Sequence, residues 1–195
     1  MYALFESAEK VTWAVEDTYP SILQTPAYAE GVIAFSEAPP EMASARMAAR
    51  VGRIAAFAAA GIEVVACIPE KVLTSQHYVS PPTVLLGQLA HLRSVVGAGI
   101  KASQASRLQV GIVPAQHFTP TFPGQSVLEV ITREKERYIL ANDGLLVASA
   151  GSQEAKERVI QDGIELLNTL AAHAVTGEAA LKIIANRREM LHRIL

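Results

Sequence analysis

The sequence predicts an α/β or α+β domain: a mixed sheet with a partly parallel βαβαβ N-terminal part, an antiparallel meander and two C-terminal helices. Three observations predict it. Two runs rich in β-branched residues, "IEVVACIP" and "RLQVGIVP", each follow a helix-patterned segment and suit strands covered on both faces. The stretch "SVLEVITREKERYILANDGLLVAS" alternates short apolar runs with compact turns, as a meander does. From Ser152 onward, apolar residues recur at three-four spacing through two long segments. The expected organisation is a mixed core over residues 1–150 and a helical hairpin over 151–195, packed on that core or on a partner.

Taken in order, Tyr2 to Phe5 and Val11 to Val15 are two short apolar runs that suit a hairpin, with Thr12 and Trp13 carrying β-preference. "SILQTPAYAEG" reads as loop, and the stretch from Val32 as a short buried strand stopped by Pro39 and Pro40. Glu41 to Ala60 is an alanine-rich helix with Met47, Val51, Ile54 and Ala58 on one stripe and Gly61 as its stop. The strand "IEVVACIPE" follows, then irregular chain from Lys71 to Pro82.

A second helix begins near Thr83, its stripe formed by Leu85, Leu89, Leu92 and Val96, and "RLQVGIVP" repeats the earlier strand pattern. The order strand, helix, strand, helix, strand from Val32 to Val113 permits two right-handed crossovers. Three antiparallel strands are expected beyond it, with Asn142-Asp143-Gly144 as a hairpin turn because these residues tolerate positive φ. Ser152 and Thr176 are the expected N-caps of the last two helices.

Composition narrows the function classes. Half of the 195 residues are apolar, only 18% are charged, and the formal net charge is −2. Phosphate binding needs clustered positive charge, so nucleic acid is not an expected partner. No stretch approaches the roughly eighteen apolar residues of a membrane span, and the first residues lack the basic start and apolar run of a signal peptide. One cysteine, Cys67, permits no internal disulfide and fits a reducing compartment. The expected location is the cytoplasm, or an assembly formed there.

Chemistry-bearing residues are few. Aligning Pro69 with Pro114 superposes "VVACIP" on "QVGIVP"; His77 lies eight residues past the first proline and His117 three past the second. If the strands are parallel neighbours, both histidines leave the C-terminal ends where open α/β sheets bind ligands. His77 and His117 are therefore the candidate catalytic or binding pair, with Glu70 the nearest acidic residue. A catalytic zinc needs three protein ligands and an open position, which this pair does not supply, so no metal and no cofactor is expected. Cys67 sits inside a β-branched run and reads as a small buried hydrophobe. "GAGIKAS" ends a helix instead of opening one, so it is not a phosphate loop.

The low charge and abundant apolar residues favour surface hidden in an interface. The last helix offers Leu181, Ile184, Leu191 and Leu195 on one seam, interrupted by Arg188, and these five are the candidate interface. The first expectation is a non-enzymatic structural or assembly subunit of a virion, pilus or secretion-type machinery, as a homo-oligomer or within a larger protein assembly. The alternative is a small cytosolic enzyme or ligand-binding protein using the loops after the strands ending near Pro69 and Pro114.

Overall fold

The computed structural model describes residues 2–15, 17–35, 39, 41–48, 61–76, 81–101, 107–117, 126–141 and 153–194. Among these, the helices are α1 (Tyr2–Ser7), α2 (Pro26–Phe35), α3 (41–48), α4 (Pro82–Lys101), α5 (Gln153–His173) and α6 (Gly177–Ile194). The strands are β1 (Ala8–Val15), β2 (Glu63–Pro69), β3 (Leu108–Val113), β4 (Ser126–Thr132) and β5 (Arg137–Ala141). They form one mixed sheet in the order β3-β2-β1-β4-β5, with β1, β2 and β3 parallel and β4 and β5 antiparallel. The α+β architecture with a mixed sheet and two C-terminal helices is thus as the sequence predicts.

The parallel unit starts earlier than expected. Its first strand is β1, and the stretch from Val32, expected as a strand, lies in α2. The sequence signal for α2 was the Thr25-Pro26 pair. Proline suits the first helical position because its missing N–H has no partner to lose there. Thr25 caps the helix: Tyr28 N–H donates to Thr25 Oγ1 at 3.3 Å and Ala29 N–H to the Thr25 carbonyl at 2.9 Å. Tyr2 to Phe5 also departs from expectation, forming α1 in place of a hairpin strand. A four-residue apolar run does not distinguish strand from helical turn; here Phe5 turns into the core beside Ala8 and Val130.

Residues 49–60 of the expected alanine-rich helix, the third meander strand with Asn142-Asp143-Gly144, and Ser152 lie outside the described residues. The two described meander strands pair as predicted. Their turn is closed by Lys135 N–H to the Thr132 carbonyl at 2.9 Å, with Lys135 at φ 66° and its ammonium paired to Glu9.

The period-two alternation of the strands sorts the core into two faces. On one, Ala66, Ile68, Val110 and Ile112 meet α2, α4 and α6 through Tyr28, Leu85, Leu89, Leu92, Ala180, Ile184 and Leu191, while Val11, Trp13 and Val64 cluster with Phe5, Leu128 and Val130. On the other, Ala14, Cys67, Val113, Val127 and Ile139 meet α5 through Leu167 and Leu170. The expected C-terminal hairpin is therefore corrected: α5 and α6 lie on opposite faces of the sheet instead of against each other.

Their short linker rounds the sheet edge, where Val175 and Ile112 exchange backbone hydrogen bonds of 2.8 Å each. Gly111 makes the crossing possible, because a Cβ there would stand 2.6 Å from the Ala174 Cβ. Gly163 gives α5 the same close approach, since its Cβ would lie 2.8 Å from Ile139 Cγ2.

Candidate functional site

The C-terminal ends of β1, β2 and β3 share one edge of the sheet. The chain adds β2 and β3 on one side of β1, then β4 and β5 on the other, so the order reverses at β1. Open α/β sheets bind ligands at such reversals, outside the carboxyl ends of the strands.

After β2, Pro69 leads into the 3-10 turn Glu70–Thr74. Glu70 Oε1 accepts from Arg187 Nη2 at 2.7 Å and from Nε at 3.2 Å, while Oε2 accepts from the Ala115 N–H at 3.4 Å. Its side chain is 18% exposed and that of Arg187 35%. The predicted candidate acid is therefore a clasp that ties the ends of β2 and β3 to α6. Two guanidinium nitrogens converge on Oε1 alone, and the backbone N–H donates to Oε2, so each oxygen has its own partner.

After β3, the 3-10 turn Ala115–His117 carries an exposed His117. β2 and β3 are parallel neighbours, as the histidine argument required, with Ile68 opposite Ile112 and Pro69 opposite Val113. That register is one residue off the proline-to-proline alignment. His77 lies outside the described residues. The described partner of His117 is His173, the last residue of α5: their rings stack with centroids 4.3 Å apart and planes 2° from parallel. Sequence reasoning missed His173, whose closeness arises from the edge crossing beside Gly111.

After β1, the chain enters a buried stretch that sequence reasoning read as plain loop. Leu23 N–H donates to the Pro20 carbonyl at 2.8 Å, closing the turn Ser21–Leu23. Gln88, fully buried on the apolar stripe of α4, anchors it from the side: Nε2 donates to the Leu23 carbonyl at 2.7 Å and Oε1 accepts from the Thr25 N–H at 2.7 Å. Gln24 Nε2 reaches back to the Tyr19 carbonyl at 2.6 Å, and Tyr19 meets Tyr28 edge-to-face with centroids 5.0 Å apart.

Three side-chain atoms of this stretch, Tyr19 Oη, Ser21 Oγ and Gln24 Oε1, are buried with no hydrogen-bond partner among the described residues, as is Trp13 Nε1 on the strand that leads to it. Burial pushes the Tyr19 phenol well above its ordinary range, with Tyr28 adding to the effect, so it stays neutral. The sequence signal was available in Gln88, a polar residue interrupting an otherwise apolar stripe.

Ile184 and Leu191, expected at an interface, are buried in the chain's own core against α4, and Leu181 packs half-buried beside them. Leu195 lies outside the described residues. Arg188 continues the same seam, half-buried, with Nε enclosed and without a partner among the described residues. Cys67 is buried as expected; desolvation pushes its thiol up to about 11, which disfavours the nucleophilic thiolate. Among the described residues no three histidine, cysteine or acidic side chains gather as a metal-binding group, and no helix is long and apolar enough to cross a membrane.

These features define a three-layer α+β domain whose parallel-strand edge bears one clasped segment and one buried segment with unsatisfied polar groups. The chain belongs to the DUF5753 family, a domain of unknown function, which it matches over residues 2–186. No curated protein and no solved structure matches it.

Proposed function

We propose that this chain is a non-catalytic binding domain that takes a small, uncharged, hydrogen-bonding molecule at the end of β1. The reading rests on the buried, unpartnered Tyr19 Oη, Ser21 Oγ and Gln24 Oε1 within a six-residue stretch at the edge where the sheet order reverses. A buried polar group without a partner costs about 1–3 kcal/mol, so three in one short turn call for a compensating role. The groups are neutral donors and acceptors, and a charged ligand would enter this region without a counter-ion. The clasped Glu70 and the inert Cys67 supply no free nucleophile or general base there.

Tyr19→Phe tests this directly. Removing an unsatisfied hydroxyl is expected to raise the stability of the free chain by about 1 kcal/mol, measured by urea unfolding, a gain typical of sites kept for function. The same variant is expected to abolish any thermal stabilisation that wild type shows in a screen of nucleosides, sugars and amides. A loss of stability in Tyr19→Phe, or ligand responses equal to wild type, would sink the reading.

Assembly remains a second reading on a narrower basis. Met190 and Ile194 are 39% and 66% exposed toward the end of α6, beyond the residues used in the core. Light scattering of wild type and Ile194→Asp decides it: a monomer in both cases removes the reading.

A further inference from the structure

We propose that His117 and His173 form a two-imidazole site for a borderline divalent transition metal of the zinc, nickel or copper class. Imidazole is a ligand these ions share. The site is independent of the ligand reading at β1, since it lies past the end of β3 and uses none of the same residues.

Both rings are carried by backbone tied to one strand. His117 N–H donates to the Pro114 carbonyl at 2.9 Å, closing the turn directly off β3. His173 ends α5 two residues before Val175, whose paired 2.8 Å bonds to Ile112 fasten it to the same strand, and Gly111 lets the intervening Ala174 sit against the sheet. The two side chains are thus held near each other before any ion arrives, which lowers the ordering cost of binding.

The two rings are close enough for one ion to reach both. Zinc holds each imidazole nitrogen at about 2.0–2.1 Å, which in a tetrahedral site places two nitrogens roughly 3.4 Å apart. Rings stacked 4.3 Å apart and nearly parallel have lone pairs that run side by side instead of converging. Binding therefore requires the side chains to re-orient from the stacked arrangement so that one nitrogen of each ring points at the ion. Both residues are exposed, so water can complete the coordination shell. A bound ion would bridge the end of β3 to the end of α5, reinforcing the edge crossing.

The test is thermal unfolding of the untagged full chain with zinc or nickel chloride, together with calorimetric titration. At a hundredfold excess over Kd the midpoint is expected to rise by roughly 5–10 °C. His117→Ala and His173→Ala are each expected to weaken binding at least about tenfold. His91→Ala and His192→Ala, which alter other exposed histidines, leave it intact. Hydrogen exchange at the Ile112 and Val175 amides should slow when metal binds. No midpoint rise, an equal loss in the His91 or His192 variants, or stabilisation that leaves those two amides unchanged would overturn the assignment.

Discussion

After β2 the chain turns through Glu70, whose carboxylate is met by Arg187 and by the Ala115 N–H. After β1 it turns through Tyr19, Ser21 and Gln24, whose buried Oη, Oγ and Oε1 atoms find no such partners among the described residues. The two segments leave the same sheet edge and face the same problem, which is how to end a buried parallel strand without stranding polar groups. One solves it with a charged clasp from α6. The other is held by Gln88 from α4 and by Gln24 Nε2 on the Tyr19 carbonyl, and leaves three buried side-chain oxygens without a partner among the described residues. The difference teaches that the residue conspicuous for its charge, Glu70, serves architecture, whereas the proposed binding role rests on neutral residues in an apparent loop.

The comparison breaks most visibly at Gln88. Gln88→Leu keeps the volume but strands the Leu23 carbonyl and the Thr25 N–H, and is expected to cost about 2–4 kcal/mol in urea unfolding while disordering the β1 segment. A cost below about 1 kcal/mol would mean the anchor is unimportant.

A slightly smaller effect separates the two segments by pH. The Cys67 thiol, on the strand leading to the clasp, is raised from 9.0 to about 11. Its folded-state pKa exceeds the unfolded value, so stability is fully present below about pH 9 and is lost as pH rises toward 11, by about 2–3 kcal/mol. The raised Tyr19 phenol acts in the same sense above its ordinary 10.0. Cys67→Ala should remove the portion that sets in at about pH 9 and leave the later one, as read from unfolding midpoints across that range.

Glu70→Gln sharpens the contrast at lower magnitude. Both partners of the ion pair are partly solvated, so the loss is expected at about 1 kcal/mol, with ligand responses unchanged. A collapse of ligand binding would place Glu70 in the site after all. Ser21→Ala, the smallest change, should stabilise the free chain by about 0.5 kcal/mol, the sign opposite to Glu70→Gln.

Legibility differed by kind of signal. The stripe Leu85, Leu89, Leu92 and Val96 and the strands ending at Pro69 and Val113 were readable because burial repeats with the local period of helix or strand. The stretch from Val32 was misread because an apolar run alone does not choose between the two periods, and the Thr25-Pro26 start that decides it lay just upstream. The seam of α6 was found, but its occupant was not: Ile184 and Leu191 face α4 of the same chain. Periodicity reports that a face is buried, never against what.

The sequence by itself determined the mixed α+β class, the parallel pair β2 and β3, the meander start and the two last helices, since these follow from short-range patterning and turn chemistry. The tertiary structure alone decided which polar groups are satisfied. Glu70 finds Arg187 across 117 positions, Gln88 finds Leu23 across 65, and His117 meets His173 only because the linker after α5 rounds the sheet edge. Hydrogen-bond partners are set by where distant segments cross in space, and no local period encodes that crossing.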